Sequence, residues 1–174
     1  MRTKVYIGID PGLSGGVAAI SDKGELLMIE DTPALKAKTG TKVYLPAQMA
    51  EILKRVEISK VAVVGIEQVH SMPKQGVASS FRFGEGFGMW QGIIAALGMP
   101  MMMVPPQRWK KAMLAAGAGS DKGVAIARAQ QLLPSAAKYL TRKKDDGRAE
   151  AILIAMYFLE RIRSTPAHFK GGSE

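Results

Sequence analysis

No cysteine occurs among the 174 residues, which excludes disulfides, thiolate metal sites and a cysteine nucleophile at the outset. Imidazole is nearly as scarce: His70 and His168 are the only histidines, too few to build the Cys/His ligand sets that zinc favours. Aromatic residues make up only 6% of the chain, so the core has to be built from aliphatic, alanine and methionine side chains. No apolar run approaches the roughly 20 residues needed to cross a bilayer, each candidate being broken by Gly, Pro or charge. The opening Met1-Arg2-Thr3-Lys4 carries no secretory pattern. These absences together lead us to expect a soluble, cytoplasmic protein with no membrane partner.

Acidic charge is the minority charge, with 15 Asp and Glu against 24 Lys and Arg and a formal net charge of +9. Its distribution says more than its sum. Residues 101–148 hold ten basic residues against three acidic ones, whereas residues 1–66 hold nine against seven. A concentrated basic stretch of this kind can neutralise phosphates and release their counterions, so nucleic acid is the first polyanion to consider.

At 47% apolar residues the chain can bury a core, and its length suits one domain over 1–174 with a loose tail from about 164. Residues 4–10 are apolar and β-branched, as in a strand covered on both faces, and end at Pro11-Gly12. Residues 17–21 and 25–30 continue as strands around the turn Asp22-Lys23-Gly24, giving three antiparallel strands. Residues 32–46 read as loop, 46–57 as a helix opened by Pro46, and 60–67 as a second buried strand. A Gly- and Phe-rich stretch from Ser71 to Gly88 precedes a helical run over 89–98. A short strand over 101–104 follows, then helices over 107–114, 120–133 and 148–163. The order describes an α/β fold with a five-stranded mixed sheet flanked by helices.

Two residues stand out in that pattern: Asp10 and Glu67 each end an otherwise apolar strand as its single carboxylate. Left unpaired in a buried sheet, such a group costs on the order of several kcal/mol, so it has to be paired, protonated or bound to a cation. The bland alternatives are an Asp10 that only caps its turn and a Glu67 paired with a nearby Lys or Arg. Asp146 and Glu150, four apart, share a face of the last helix and lean toward the same point. Asp146 could equally serve as an N-terminal cap. Glu150 lies between Ala149 and Ala151 on the inward side, where a plain surface carboxylate does not belong. A site made only of oxygen ligands suits Mg²⁺ or Mn²⁺ rather than zinc.

In order along the chain, Gly8-Ile9-Asp10-Pro11-Gly12, Gly65-Ile66-Glu67, Gly117-Ala118-Gly119-Ser120-Asp121-Lys122 and the run from Asp146 to Ala151 resemble the RuvC-type Holliday junction resolvases over nearly the whole length. The resemblance implies an RNase H-like fold, a homodimer, and two divalent metals per active site making paired nicks in a four-way DNA junction. It makes Asp10 the bridging carboxylate, Glu67 the second ligand and Glu150 the ligand on the last helix. The family's closing pair is usually spaced by three, where this chain has Gly147, so the remaining ligand falls to Asp146 or Asp145. Lys122 matches a basic residue near the scissile phosphate, after a Gly-rich loop suited to an anion. Lys110, Lys111, Arg142, Lys143 and Lys144 are further candidates for phosphate contact. Phe81 or Phe83, with Arg82 between them, falls where the family carries an aromatic wedge, while Phe87 fits the core better. In the family the following helix forms the dimer interface, and Gly88, Gly92, Ala95 and Ala96 would allow close approach.

Other classes fit less well. An actin-like ATPase shares the Asp-Pro-Gly turn but needs a duplicated domain for which 174 residues leave no room. A RuvC-like nuclease of broader branched-DNA specificity, of the kind a phage would encode for use in a bacterial host, keeps the same chemistry. A silent DNA-binding module would not need the carboxylate set.

Overall fold

The computed structural model describes residues 3–38, 40–68, 76–114 and 122–164, with Lys122 described by its backbone alone. The apolar opening segment forms β1 (Val5–Asp10), which pairs antiparallel with β2 (Gly16–Ser21), itself antiparallel to β3 (Leu26–Asp31). On its other side β1 lies parallel to β6 (Val61–Glu67), and β6 lies parallel to β7 (Met101–Val104). The result is the five-stranded mixed sheet expected from the sequence, with the strands in the order β3-β2-β1-β6-β7.

Strand residues alternate between two cores, as a pleated sheet covered on both sides requires. Ile7, Ile9, Val17, Val64 and Ile66 pack with α1 (Pro46–Lys54) and α2 (Val77–Ala96), where Trp90 and Ile94 are fully buried. Tyr6, Ala18, Ile20 and Val63 face the other way, toward α3 (Pro106–Met113), α4 (Lys122–Leu132) and α5 (Asp146–Ser164). Helix α5 is the centrepiece of that layer, with Ala151 to Ala155 wholly buried.

Its approach to the sheet depends on glycines. Gly8 and Gly65 are register partners on β1 and β6. A Cβ on Gly8 would collide with the Ala151 carbonyl and the Ala155 nitrogen, and one on Gly65 with the Phe158 ring. The seat continues at the helix start, where Gly15 and Gly147 form an isolated parallel bridge and a Cβ on Gly16 would come within 2.9 Å of the Arg148 Cα.

Three expectations need correction. The segment 32–46 contains a small hairpin, β4 (Ala34–Lys36) with β5 (Lys42–Tyr44), turned through Gly40 at φ 83°. Helix α2 starts at Val77, twelve residues before the expected start at Met89. Its four glycines disfavour a helix by about 1 kcal/mol each relative to alanine, but tertiary packing outweighs them. Gly86 leaves the space taken by the Tyr44 ring, and Phe87 joins the core as expected. Helix α5 begins at Asp146, two residues early, entered through a 3₁₀ turn over Lys143–Asp145. The expected loose tail lies outside the described residues beyond Ser164. Among the described residues no helix is long and apolar enough to cross a membrane.

Gly8→Ala should lower stability by about 3–4 kcal/mol, because both colliding atoms belong to the α5 backbone and cannot turn aside. Gly123→Ala, where an added Cβ meets nothing within 4 Å, should change it by less than about 0.5 kcal/mol. Urea midpoints of the two variants provide the comparison.

Candidate active site

Parallel pairing of β1 with β6, Ile9 opposite Ile66, sets Asp10 and Glu67 side by side at the carboxyl ends of the two central strands. The glycine seat lays the first turns of α5 across those ends, carrying Asp146 and Glu150. All four carboxylates line one open cleft of about 750 Å³, walled on the far side by Arg82 and Phe83 of α2 and by Tyr44. A second groove of about 790 Å³ runs along β3, but it gathers no such cluster and lies away from these strand ends.

Burial and acid repulsion act together in the cleft. Burial, then the charges of Glu150 and Glu67, push the Asp10 carboxyl up to about 7, against a single backbone donor, the Gly12 N–H at 3.2 Å. Glu67, only 8% exposed, is also raised, mainly by burial, while the Trp109 indole N–H donates to its Oε2 at 2.7 Å and favours the charged form. Opposing charge comes from Lys110, whose Nζ lies 3.0 Å from Glu150 Oε1. Burial works against that ammonium, but Glu150, backed by Glu67 and Asp10, outweighs it and raises its pKa.

Oxygen donors of this number and sign fit a hard divalent cation. Among the described residues, however, no three acidic or histidine side chains are gathered tightly enough to hold an ion. Each of three carboxylates is instead drawn toward a donor of the protein itself: Asp10 to Gly12, Glu67 to Trp109 and Glu150 to Lys110.

The choice between Asp145 and Asp146 is decided by a neighbour. Asp145 is 1% exposed, and its carboxylate accepts from the Arg142 backbone N–H and from two guanidinium nitrogens, Nη2 at 2.6 Å among them. Those bonds hold its pKa below the usual carboxylate range. Asp146, the next residue, lines the cleft. Arg142, expected at a phosphate, therefore spends its guanidinium on Asp145, while Lys143 and Lys144 beside it are exposed. Lys111 is exposed on α3, and Phe81 projects from α2 at 73% exposure. Phe83 turns inward instead, its ring 3.5 Å from where a Gly12 Cβ would stand. Lys122 opens α4, but its side chain and the preceding Gly117–Asp121 loop lie outside the described residues, as do both histidines.

Sequence reasoning missed Trp109 and Tyr44. Trp109 sits in a short basic helix with nothing to mark it as the donor to Glu67. Tyr44 lies in the unforeseen hairpin, where its hydroxyl donates to the Pro11 carbonyl at 3.3 Å and braces the turn that carries Asp10.

Fold and cleft together define an RNase H-like α/β protein with an acidic site across its central strand ends. Within that class the fold matches that of solved RuvC structures, and part of the sequence is similar to a Holliday junction resolvase. No family model matches the chain. Over 123 residues, 69% of the chain, it is 33% identical to the chloroplastic Holliday junction resolvase MOC1 of Chlamydomonas reinhardtii, and the matched stretch is 14% of that relative's length. The structure of Thermus thermophilus RuvC in complex with a Holliday junction substrate matches with a TM-score of 0.63 at 18% identity, covering 93% of this chain and 97% of that one. A second Thermus thermophilus RuvC structure matches at 0.58 and 20% identity, covering 91% and 96%. The yeast mitochondrial Holliday junction resolvase Ydc2 matches at 0.50 and 16%, covering 88% and 76%.

Two outcomes follow from the site. A carboxyl whose pKa is raised by folding binds its proton more tightly in the folded state, so stability falls as pH rises from its unfolded value near 4 toward 7. In chelator, Asp10→Asn should therefore melt at a higher temperature than the parent at pH 8, by about 2–4 °C per kcal/mol of relieved repulsion, and the gap should close toward pH 4. Arg142→Ala should cost about 2–3 kcal/mol by stranding the buried Asp145 charge. Replacing Lys143 and Lys144 by alanine should instead leave the urea midpoint in place and weaken DNA binding in fluorescence anisotropy.

Proposed function

We propose that the chain is a divalent-cation-dependent DNA endonuclease that resolves four-way junctions by paired phosphodiester hydrolysis. The observation that carries this reading is the convergence of four carboxylates, from two strand ends and one helix, on a cleft of a RuvC-type fold. A sequence relative and a structure of similar fold are named for Holliday junctions or their resolution, and the basic stretch supplies the charge that a DNA partner needs. We read the chain as a single nuclease domain, active in the cytoplasm of a bacterial or phage-infected cell.

In this reading Asp10, Glu67, Glu150 and Asp146 would together hold the metal. Bound there, Mg²⁺ or Mn²⁺, two per site, would supply Lewis-acid activation of water and neutralise charge at the scissile phosphate. The protein's own residues do the rest. Trp109 fixes the Glu67 carboxylate, and Gly12 with Tyr44 fixes the turn carrying Asp10. Lys110, Lys111, Lys122, Lys143 and Lys144 lie on the segments that bear the chain's excess positive charge, suited to the phosphate backbone on either side of the cut. Phe81, exposed beside Arg82 at the start of α2, would stack on bases opened at the junction.

Two cuts in one junction call for two sites, so we place a second copy of the chain against α2. That helix exposes Gly84, Gly88 and Gly92, where an added Cβ would meet nothing within 4 Å. Sedimentation would read the mass directly.

The deciding experiment is a cleavage panel of four-way junction, fork, flap and linear duplex with Mg²⁺ or Mn²⁺. Paired nicks in the junction are expected, and Asp10→Asn should lose at least about 10³-fold in rate while keeping junction affinity. Equal cutting of linear duplex would replace the resolvase reading with a general nuclease. An unchanged rate in Asp10→Asn would remove the mechanism.

A further inference from the structure

Helix α3 sends two consecutive side chains to the acidic cleft, and they differ in kind. Trp109 is fully buried and rigid, its indole N–H fixed on Glu67. Lys110 follows it and places its ammonium 3.0 Å from Glu150 Oε1 and 5.1 Å from the centroid of the Trp109 ring. Its side chain remains 41% exposed on a flexible four-carbon stem, so it can leave without disturbing the core. Glu150, its partner, is the one carboxylate of the cleft reached from the α3 side by a full positive charge. Lys111, one residue on, is exposed and makes no such pair among the described contacts.

We propose that Lys110 is the internal counter-cation of this cleft, an ammonium that holds Glu150 when no metal is bound and that a divalent cation has to displace in order to bind. The inference rests on the metal-site reading above and adds a property of this chain to it. The Lys110 ammonium faces Glu150 with Glu67 and Asp10 behind it, and a doubly charged ion answers those three charges better than one ammonium does. It gains less, however, than it would over a cleft with no resident cation, because the Lys110–Glu150 pair has to be broken. The displaced amine carries its charge to the mouth of the cleft, on the side where Lys111 already projects.

The test is calorimetric titration of Mn²⁺ alone, without DNA, into the parent protein and into Lys110→Met, Lys110→Gln, Lys110→Arg and Lys111→Met, with melting temperatures in chelator alongside. Both neutral variants at 110 should bind Mn²⁺ about tenfold more tightly than the parent and melt lower in chelator. Lys110→Arg and Lys111→Met should stay within about threefold of the parent. Unchanged or weaker Mn²⁺ binding in Lys110→Met and Lys110→Gln overturns the counter-cation role. An equal gain in Lys111→Met does so as well, since it would reflect overall charge rather than this pair. No Mn²⁺ binding to any of the proteins overturns the metal-site reading with it, whereas loss of the tenfold difference alone leaves that reading intact.

Discussion

The close contact between α5 and the two central strands is the constraint on which this structure depends. A helix ordinarily packs on a sheet through side chains, about 10 Å from the strands. Here Gly8 and Gly65, side by side on β1 and β6, give up theirs, so that the Ala151 carbonyl and the Phe158 ring take the vacated space. Gly15, Gly16 and Gly147 extend the contact to the first turn of the helix. Only such a seat brings Asp146 and Glu150 over the ends of the strands that carry Asp10 and Glu67. These glycines serve as spacers between backbone layers.

Once assembled, the cleft is electrostatically unbalanced. Among the described contacts Asp10 meets the Gly12 N–H, Glu67 the Trp109 indole N–H and Glu150 the Lys110 ammonium, and both strand-end carboxyls are raised, first by burial and then by their acidic neighbours. A cluster of this kind makes structural sense as a site that gives up stability for function, since well-packed apolar residues would serve the fold better. The neighbouring Asp145–Arg142 pair shows the contrast: a fifth acid, more buried than any of the four, is satisfied by Arg142 and does not line the cleft. Adjacent residues of identical chemistry are thus divided between scaffold and site by a single arginine.

Helix α2 and the β4–β5 hairpin form the opposite wall. Tyr44 links them, its ring over Gly86 and its hydroxyl on the Pro11 carbonyl, so the helix that carries Phe81 and the turn that carries Asp10 lean on one side chain. The wall facing any DNA partner is mechanically continuous with the acidic floor.

Apolar periodicity alone determined the three antiparallel strands and the two further strands of a mixed sheet, because a strand buried on both faces leaves an uninterrupted hydrophobic record; their order and the parallel pairing came from the structure. It also exposed Asp10 and Glu67, since a carboxylate ending such a strand has no reason of its own to be there. Glu150 was legible for the same reason, a charge between two buried alanines. What the tertiary structure decided lay in contacts distant along the chain. Whether Asp145 or Asp146 faces the cleft depended on where the Arg142 guanidinium turned. That Trp109 serves Glu67 and Lys110 serves Glu150 depended on α3 crossing the strand ends, 42 and 40 residues away in sequence. The helix over the glycine-rich segment from Val77 could not be foreseen, because its local propensity opposes a helix and only Tyr44, from a hairpin equally unmarked, repays Gly86 for its missing side chain. Local pattern records burial, and burial located the acids; partners that meet only in three dimensions leave no such record.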